Sequence, residues 1–173
     1  MKTNNKITHE QLLHALNYDP ETGLFTWRIL RGRNQIKIGD VAGNRLNTGY
    51  VVICYEYQDY LAHRLAWLYM TGEWPKHHID HINQVRNDNR FINLRESTAS
   101  QNLANVARNP RNTSGFKGVA LDANGTWRGY VTRNYKQHCK AGFKTPEEAA
   151  AWVKMKRVAL HGEFASDERS ARA

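Results

Sequence analysis

Apolar positions first recur at helical spacing in Leu12, Leu13, Ala15 and Leu16, a stripe that predicts a helix opening near Thr8. Thr8 and Gln11 stand at the capping-box interval, where a hydroxyl and an amide each satisfy a free N–H of the first turn. Asn17-Tyr18-Asp19-Pro20 ends the helix, because proline disfavours helical geometry in the residue before it. Asp19-Pro20-Glu21-Thr22-Gly23 reads as a turn into the strand Leu24-Phe25-Thr26-Trp27. Residues 31–49, rich in Gly, Asn and Arg, read as loops around a short strand. Tyr50-Val51-Val52-Ile53-Cys54-Tyr55 is the strongest strand pattern, with a hairpin turn at Gln58-Asp59 and a return through Tyr60-Leu61-Ala62. A helix with Leu65, Leu68 and Tyr69 on one face follows and stops near Thr71-Gly72.

Beyond residue 107 the pattern changes. Residues 108–113 carry almost nothing to bury and read as a linker between a domain at 1–107 and a second at 114–165, with a tail at 166–173. The second domain opens with β-like stretches near 116–121, 126–133 and 138–143. Thr145-Pro146-Glu147-Glu148 then announces a helix, with a cap, a proline at the first helical position and a glutamate at the third. Ala149, Trp152, Val153, Val158 and Leu160 form its expected apolar side. Taken together the fold class is α+β, with a C-terminal three-stranded antiparallel sheet backed by a helix.

Composition narrows the function classes. No apolar run approaches the roughly 20 residues needed to span a bilayer, and the polar start Met1-Lys2-Thr3-Asn4-Asn5 is no signal peptide, which points to the cytoplasm and away from membranes. Cys54 and Cys139 form no CxxC pair, so they make no structural zinc site and are expected to be ordinary, partly buried residues. The net charge of +9 is unevenly spread. Residues 1–107 carry 12 Lys/Arg and 10 Asp/Glu, or +2; residues 108–173 carry 13 and 6, or +7. A basic C-terminal domain suits a polyanion, since phosphates release counterions when cations neutralise them.

The chemistry-bearing segment is His78-Ile79-Asp80-His81-Ile82-Asn83, followed by Asn89-Arg90-Phe91-Ile92-Asn93-Leu94-Arg95 and Ser100-Gln101-Asn102. Phosphodiester hydrolysis needs a cation, a base for water and a scaffold orienting both. Asp oxygens and Asn carbonyl oxygens are hard ligands suited to Mg²⁺ or Mn²⁺, and histidine titrates near neutral pH. Residues 79–82 read as a strand, Asn89-Arg90 as part of a loop, and Ile92-Asn93-Leu94 as a strand pairing back. Thr98 and Gln101 repeat the capping-box spacing, so Asn102 falls in the first turn of a helix. Side chains alternate along a regular strand, so Asp80 and His81 serve one phosphate only where the strand twists or ends.

Asp80-His81, Asn93 and Asn102 resemble the HNH endonuclease motif, and residues 50–105, including His63-Arg64-Leu65, resemble its phage and homing branch. The resemblance implies a ββα-metal unit at about 76–106 with one Mg²⁺ or Mn²⁺ per site. It implies Asp80 and Asn102 as ligands, His81 as the general base, and Asn93 as the residue that holds the loop and orients His81. Arg95 is a candidate phosphate contact. His77 and His78 are either exposed polar residues or helpers at the site, His63 is expected to be packed and hydrogen-bonded, and Trp67 and Trp74 are assigned to the core.

Residues 114–165 resemble the Apetala-two/ethylene-response-factor DNA-binding domain. The matching runs are Gly115-Phe116-Lys117-Gly118-Val119, Trp127-Arg128-Gly129-Tyr130-Val131, Ala141-Gly142-Phe143, Thr145-Pro146-Glu147-Glu148-Ala149-Ala150 and Leu160-His161-Gly162-Glu163-Phe164-Ala165. The resemblance implies a sheet lying in the major groove of double-stranded DNA. A two-residue period suits basic and aromatic contacts on one sheet face, and Lys117, Arg128, Arg133 and Lys140 are the expected contacts. Trp127 belongs either with them, against sugar or base edges, or in the core. The expected protein is a DNA endonuclease acting as a monomer or weak dimer. The alternatives are a non-catalytic DNA-binding regulator and an RNA-binding protein, the latter disfavoured because no RNP-type aromatic pair or GxxG clamp is present.

Overall fold

A computed structural model describes residues 6–30, 36–105 and 112–165. The chain divides into two compact units, residues 1–96 and residues 97–173. Both mix helices with small sheets, so the class is α+β.

In the first unit, helix α1 (His9–Ala15) starts with the capping box formed by Thr8 and Gln11. It passes directly into β1 (Leu16–Tyr18), which pairs antiparallel with β2 (Phe25–Trp27); β3 (Val41–Ala42) completes that sheet. Gly23, at φ 74, closes the β1–β2 turn in the left-handed region. A second sheet runs β4 (Asn44–Arg45), β5 (Val51–Tyr55), β6 (Gln58–Leu61). Helix α2 (Ala62–Thr71) follows at once and ends on Gly72, a left-handed cap whose N–H donates to the Leu68 carbonyl. β7 (His78–His81) and β8 (Leu94–Ser97) form a two-stranded sheet. Leu12, Leu16, Phe25, Ile53, Leu65 and Leu68 are sealed at the centre of one core that reaches Ile79 and Leu94.

The second unit holds α3 (Ala99–Asn105), the sheet β9 (Val119–Leu121), β10 (Trp127–Arg133), β11 (Lys136–Phe143), and α4 (Pro146–His161). Both of its helices are capped as expected. The Thr98 hydroxyl accepts from Gln101 N while Thr98 N donates to the Gln101 side chain, and the Thr145 hydroxyl accepts from Glu148 N. β10 is central and antiparallel to both neighbours. Val119, Val131, Ala149 and Val153 make the core between sheet and helix.

Five expectations change. The first hairpin turns at Glu56-Tyr57, not at Gln58-Asp59, because Tyr55 pairs with Gln58 and both turn residues take left-handed backbone (φ 49 and 61). Ile92 and Asn93 lie in a 3-10 turn (Phe91–Asn93), and the returning strand begins only at Leu94. Val158 is exposed; the position below Val153 on the sheet-facing stripe of α4 is taken by Arg157, whose guanidinium donates to the Lys117 carbonyl at 2.8 Å. Cys54 and Cys139 are both exposed. Residues 108–111 of the expected linker and the tail at 166–173 lie outside the described residues, whereas Asn112 and Ser114 are folded onto the second unit through the Phe116 and Val119 carbonyls.

Candidate functional site

β7 is a short strand whose last three side chains, Ile79, Asp80 and His81, are all buried. A strand that ends at His81 relieves the alternation that would otherwise point Asp80 and His81 to opposite faces. Gln84, at φ 65, turns the chain immediately afterwards, its N–H donating to the His81 carbonyl.

The loop from Asn83 to Arg90 is tied by its own side chains. Asn93 accepts from Asn83 N at 3.0 Å through Oδ1 and donates to the Asp88 carbonyl at 2.8 Å through Nδ2. Its own carbonyl accepts from Ile82 N. Asp88 is ion-paired with Arg90 at 2.6 Å and accepts from the Asn83 amide; the Arg90 hydrogen bond, first among several, holds its carboxyl below the usual range. Asn93 therefore ties Asn83 and Asp88 across the loop.

His81 is 4% exposed, and its Nε2 lies 3.2 Å from Oδ1 of Asn89. With that oxygen facing the ring, Nε2 carries the proton and the lone pair sits on Nδ1. Burial lowers the His81 pKa, against the opposing pull of Asn89, Asp80 and Asp88, so the ring is neutral at neutral pH. Asn89 is buried and itself held: its carbonyl accepts from the Tyr18 hydroxyl at 2.6 Å. Burial pushes the Tyr18 phenol well up, which keeps that hydroxyl a donor. Phe91 N donates to the Pro20 carbonyl, and a Cβ on Gly23 would strike the backbone of Asn89 and Arg90. The β1–β2 turn thus braces the loop that orients His81. Sequence reasoning gave Asn89, Tyr18 and Gly23 no role at the site; Asn89 sits in the expected loop, but nothing local ties the two N-terminal residues to His81.

Asp80 is 5% exposed, and its Oδ2 accepts from both Nε (3.0 Å) and Nη2 (2.9 Å) of Arg95 on β8. Arg95, expected to reach a phosphate, is thus engaged with Asp80. Asn102 lies on α3 of the second unit, its N–H donating to the Thr98 carbonyl. Among the described residues no three His, Cys, Asp or Glu side chains gather as a metal cluster. The expected donor set is one carboxylate and one amide oxygen, and Asp80, an anionic oxygen donor set opposite a guanidinium, is of the right chemistry for a hard cation.

The His63-Arg64-Leu65 stretch acquires three separate tasks. Leu65 is sealed in the core. Arg64 donates to the carbonyls of His77 and Pro75, fixing the segment that leads into β7. His63 is buried with its ring edge-on to His81, centroids 5.0 Å apart, and Tyr50 lies against both rings. The guanidinium of Arg86 covers Tyr50. His63 is packed as expected, yet its Nδ1 is buried without a hydrogen-bond partner among the described residues, contrary to expectation. His77 and His78 are exposed, Trp74 donates to the Ile7 carbonyl and stacks on Tyr60, and Trp67 packs on Phe91.

Residues 60–104 match the HNH endonuclease family model, which spans α2, β7, the braced loop and most of α3. The chain is 36% identical over 107 residues to protein 3.8 of Escherichia phage T7, an alignment covering 60% of this chain and 86% of that protein. The chain belongs to the phage T7 protein 3.8 family. No solved structure matches it. No helix among the described residues is long and apolar enough to cross a membrane.

The HNH match ends before the second unit's sheet, and nothing in these likenesses supports the resemblance of residues 114–165 to the ethylene-response-factor domain. The expected sheet contacts in this protein 3.8 relative also do not share one face. A Cβ on Gly129 would touch Trp152 and Val153, so Gly129 and Val131 face α4. Lys140 pairs with Gly129 and its ammonium lies over Phe143, and Arg133 has the parity of Val131; both belong to the helix side. Arg128 has the opposite parity and lies on the open side. Trp127 packs with the α4 core cluster, and Lys117 lies in the loop before β9.

Proposed function

We propose that the chain is a divalent-metal-dependent DNA endonuclease that hydrolyses phosphodiester bonds in duplex DNA. The carrying observation is His81, a buried neutral imidazole at the end of a strand, oriented through Nε2 by Asn89 within the HNH-matching segment. In this scheme Nδ1 of His81 takes a proton from water, the water oxygen attacks phosphorus, and the bond to the 3′ oxygen breaks, leaving a 5′-phosphate. Solvent reprotonates the 3′ oxygen. Asn93 fixes the loop that carries Asn89, and Arg95 holds Asp80 in place.

By family resemblance Asp80 and Asn102 are the ligands of one Mg²⁺ or Mn²⁺. When bound, that cation supplies neutralisation of the charge developing on the phosphate and the leaving oxygen. The C-terminal unit, read as an ethylene-response-factor-like domain, holds the duplex; of the residues expected at the DNA, Arg128 lies on the open sheet face, and Lys117, Arg133 and Lys140 lie off that face. One active site per monomer makes the expected product a nick.

Supercoiled plasmid incubated with the protein and Mg²⁺ should become open-circular, and chelation should stop the reaction. His81→Ala should abolish cleavage while duplex affinity stays nearly intact; loss of both would assign His81 a structural role. The Arg95 hold on Asp80 favours one other reading, a non-catalytic DNA-binding regulator on this scaffold. Absence of any nicked product in a sample that binds DNA would establish that alternative.

A further inference from the structure

The β10–β11 hairpin turns in two residues, Asn134 and Tyr135, both in the left-handed region at φ 48 and 63. Asparagine adopts that backbone readily; tyrosine does so at a cost. The ring gains nothing from packing in return, being 93% exposed. The pair that closes the turn is Arg133 opposite Lys136. Like charges directly across a sheet repel, so the folded protein alone has no use for this closure. An anion seated between the two would reverse the sign.

A second two-residue hairpin among the described residues isolates what is unusual here. Glu56-Tyr57 has the same backbone and an equally exposed tyrosine (105%), but its closing pair is Tyr55 and Gln58. An exposed aromatic at a turn is therefore not distinctive; the opposed cations are. The tip is also held firmly, since Asn134 N donates to Oγ of Ser100 on α3 at 3.0 Å. Arg133 also shares a neighbour with two further cations, since all three act on His161. After burial, the charges of Arg133, Lys117 and Arg157 push the His161 pKa down, so a positive field gathers at this end of the unit.

We propose that Arg133-Asn134-Tyr135-Lys136 is a phosphate clamp by which the C-terminal unit grips one strand of duplex DNA. Arg133 and Lys136 straddle a backbone phosphate, and the Tyr135 ring lies against the adjoining deoxyribose. Arginine matches the planar geometry of a phosphate edge, and such contacts set register without reading sequence. The clamp rests on the assignment of duplex DNA as substrate, and narrows it to one hairpin end rather than the open sheet face bearing Arg128.

The test is fluorescence anisotropy of the full chain with a labelled 30-base-pair duplex across a salt series. R133Q/K136Q should bind roughly tenfold more weakly at low salt, with a salt slope shallower by about one. Tyr135→Asn, which suits the left-handed backbone, should weaken binding a few-fold at an unchanged slope. Lys144→Gln, just past the other end of β11, removes one cation, is the control for each single variant R133Q and K136Q, and should change little. Thermal midpoints should hold or rise, because a repulsion is removed; the single variants R133Q and K136Q repeat the measurement where the double variant melts early. The clamp is overturned if R133Q/K136Q loses no more than Lys144→Gln, or if Arg128→Gln loses more than the tip pair. A wild-type protein that fails to bind duplex at all overturns the DNA assignment itself, and the clamp with it.

Discussion

Replacing His63 with leucine should make the protein markedly less sensitive to acid. His63 is 5% exposed, and its Nδ1 has no hydrogen-bond partner among the described residues. Burial, then the neighbouring His81 and Arg64, lower its pKa to about 3, whereas an unfolded imidazole titrates near 6.5. Between those two values the unfolded chain binds a proton that the folded chain does not. Stability is therefore greatest above pH 6.5 and falls as pH drops towards 3. At pH 5, roughly 1.5 units below the unfolded value, the loss is about 2 kcal/mol; at pH 7 it is about 0.2. For a unit of this size 2 kcal/mol corresponds to roughly 10 °C in the melting midpoint. Calorimetric melts of wild type and His63→Leu at pH 7 and pH 5 provide the comparison, and His161 and His81 are present in both proteins. The variant should lose roughly 10 °C less than wild type over that interval. Equal losses would mean that His63 accepts a proton in the folded state, and that its packing against His81 and Tyr50 does not exclude charge.

Two further outcomes follow from the brace around His81. Asn89→Ala should slow single-turnover nicking on the order of a hundredfold while duplex affinity is retained, because the imidazole loses the acceptor that fixes its tautomer; an unchanged rate would remove Asn89 from the mechanism. Gly23→Ala should cost roughly 2–4 kcal/mol, combining a left-handed backbone with a clash against Asn89 and Arg90. A denaturant melt close to wild type would show that the loop yields to the added methyl group.

Local chemistry was the legible part of this chain. Thr8, Thr98 and Thr145 each announced a helix start, because capping is settled within four residues. A strand carrying Asp80 and His81 followed from the same short segment, although it ends at His81, one residue earlier than expected. What escaped was non-local or carried no sequence signal. The two-residue turns at Glu56-Tyr57 and Asn134-Tyr135 lack the glycine that usually marks left-handed backbone, so their strands run closer to the turn than expected. The support of Asn89 by Tyr18 spans 71 residues, and periodicity holds no record of it. Arg157, rather than the expected Val158, takes the inward position on α4, and its guanidinium finds the Lys117 carbonyl. Grouping the basic residues of the sheet onto one face failed for two reasons: Arg128 and Arg133 stand at opposite parity on β10, and the register slip between Trp127 and Gly129 sets Lys140 opposite Gly129, on the helix side.

The tie from Tyr18, Pro20 and Gly23 to the Asn89 loop bears on how this domain can be cut and reused. The stretch that matches the family model starts at residue 60, far downstream of those three. Tyr60, whose hydroxyl accepts from Ile7 N, and Trp74, whose indole donates to the Ile7 carbonyl, would lose partners in the same excision. A fragment trimmed to the motif would keep the histidine and lose what aims it. In this chain the portable unit begins at the first helix, and grafts of the HNH-matching stretch should carry that N-terminal hairpin with them.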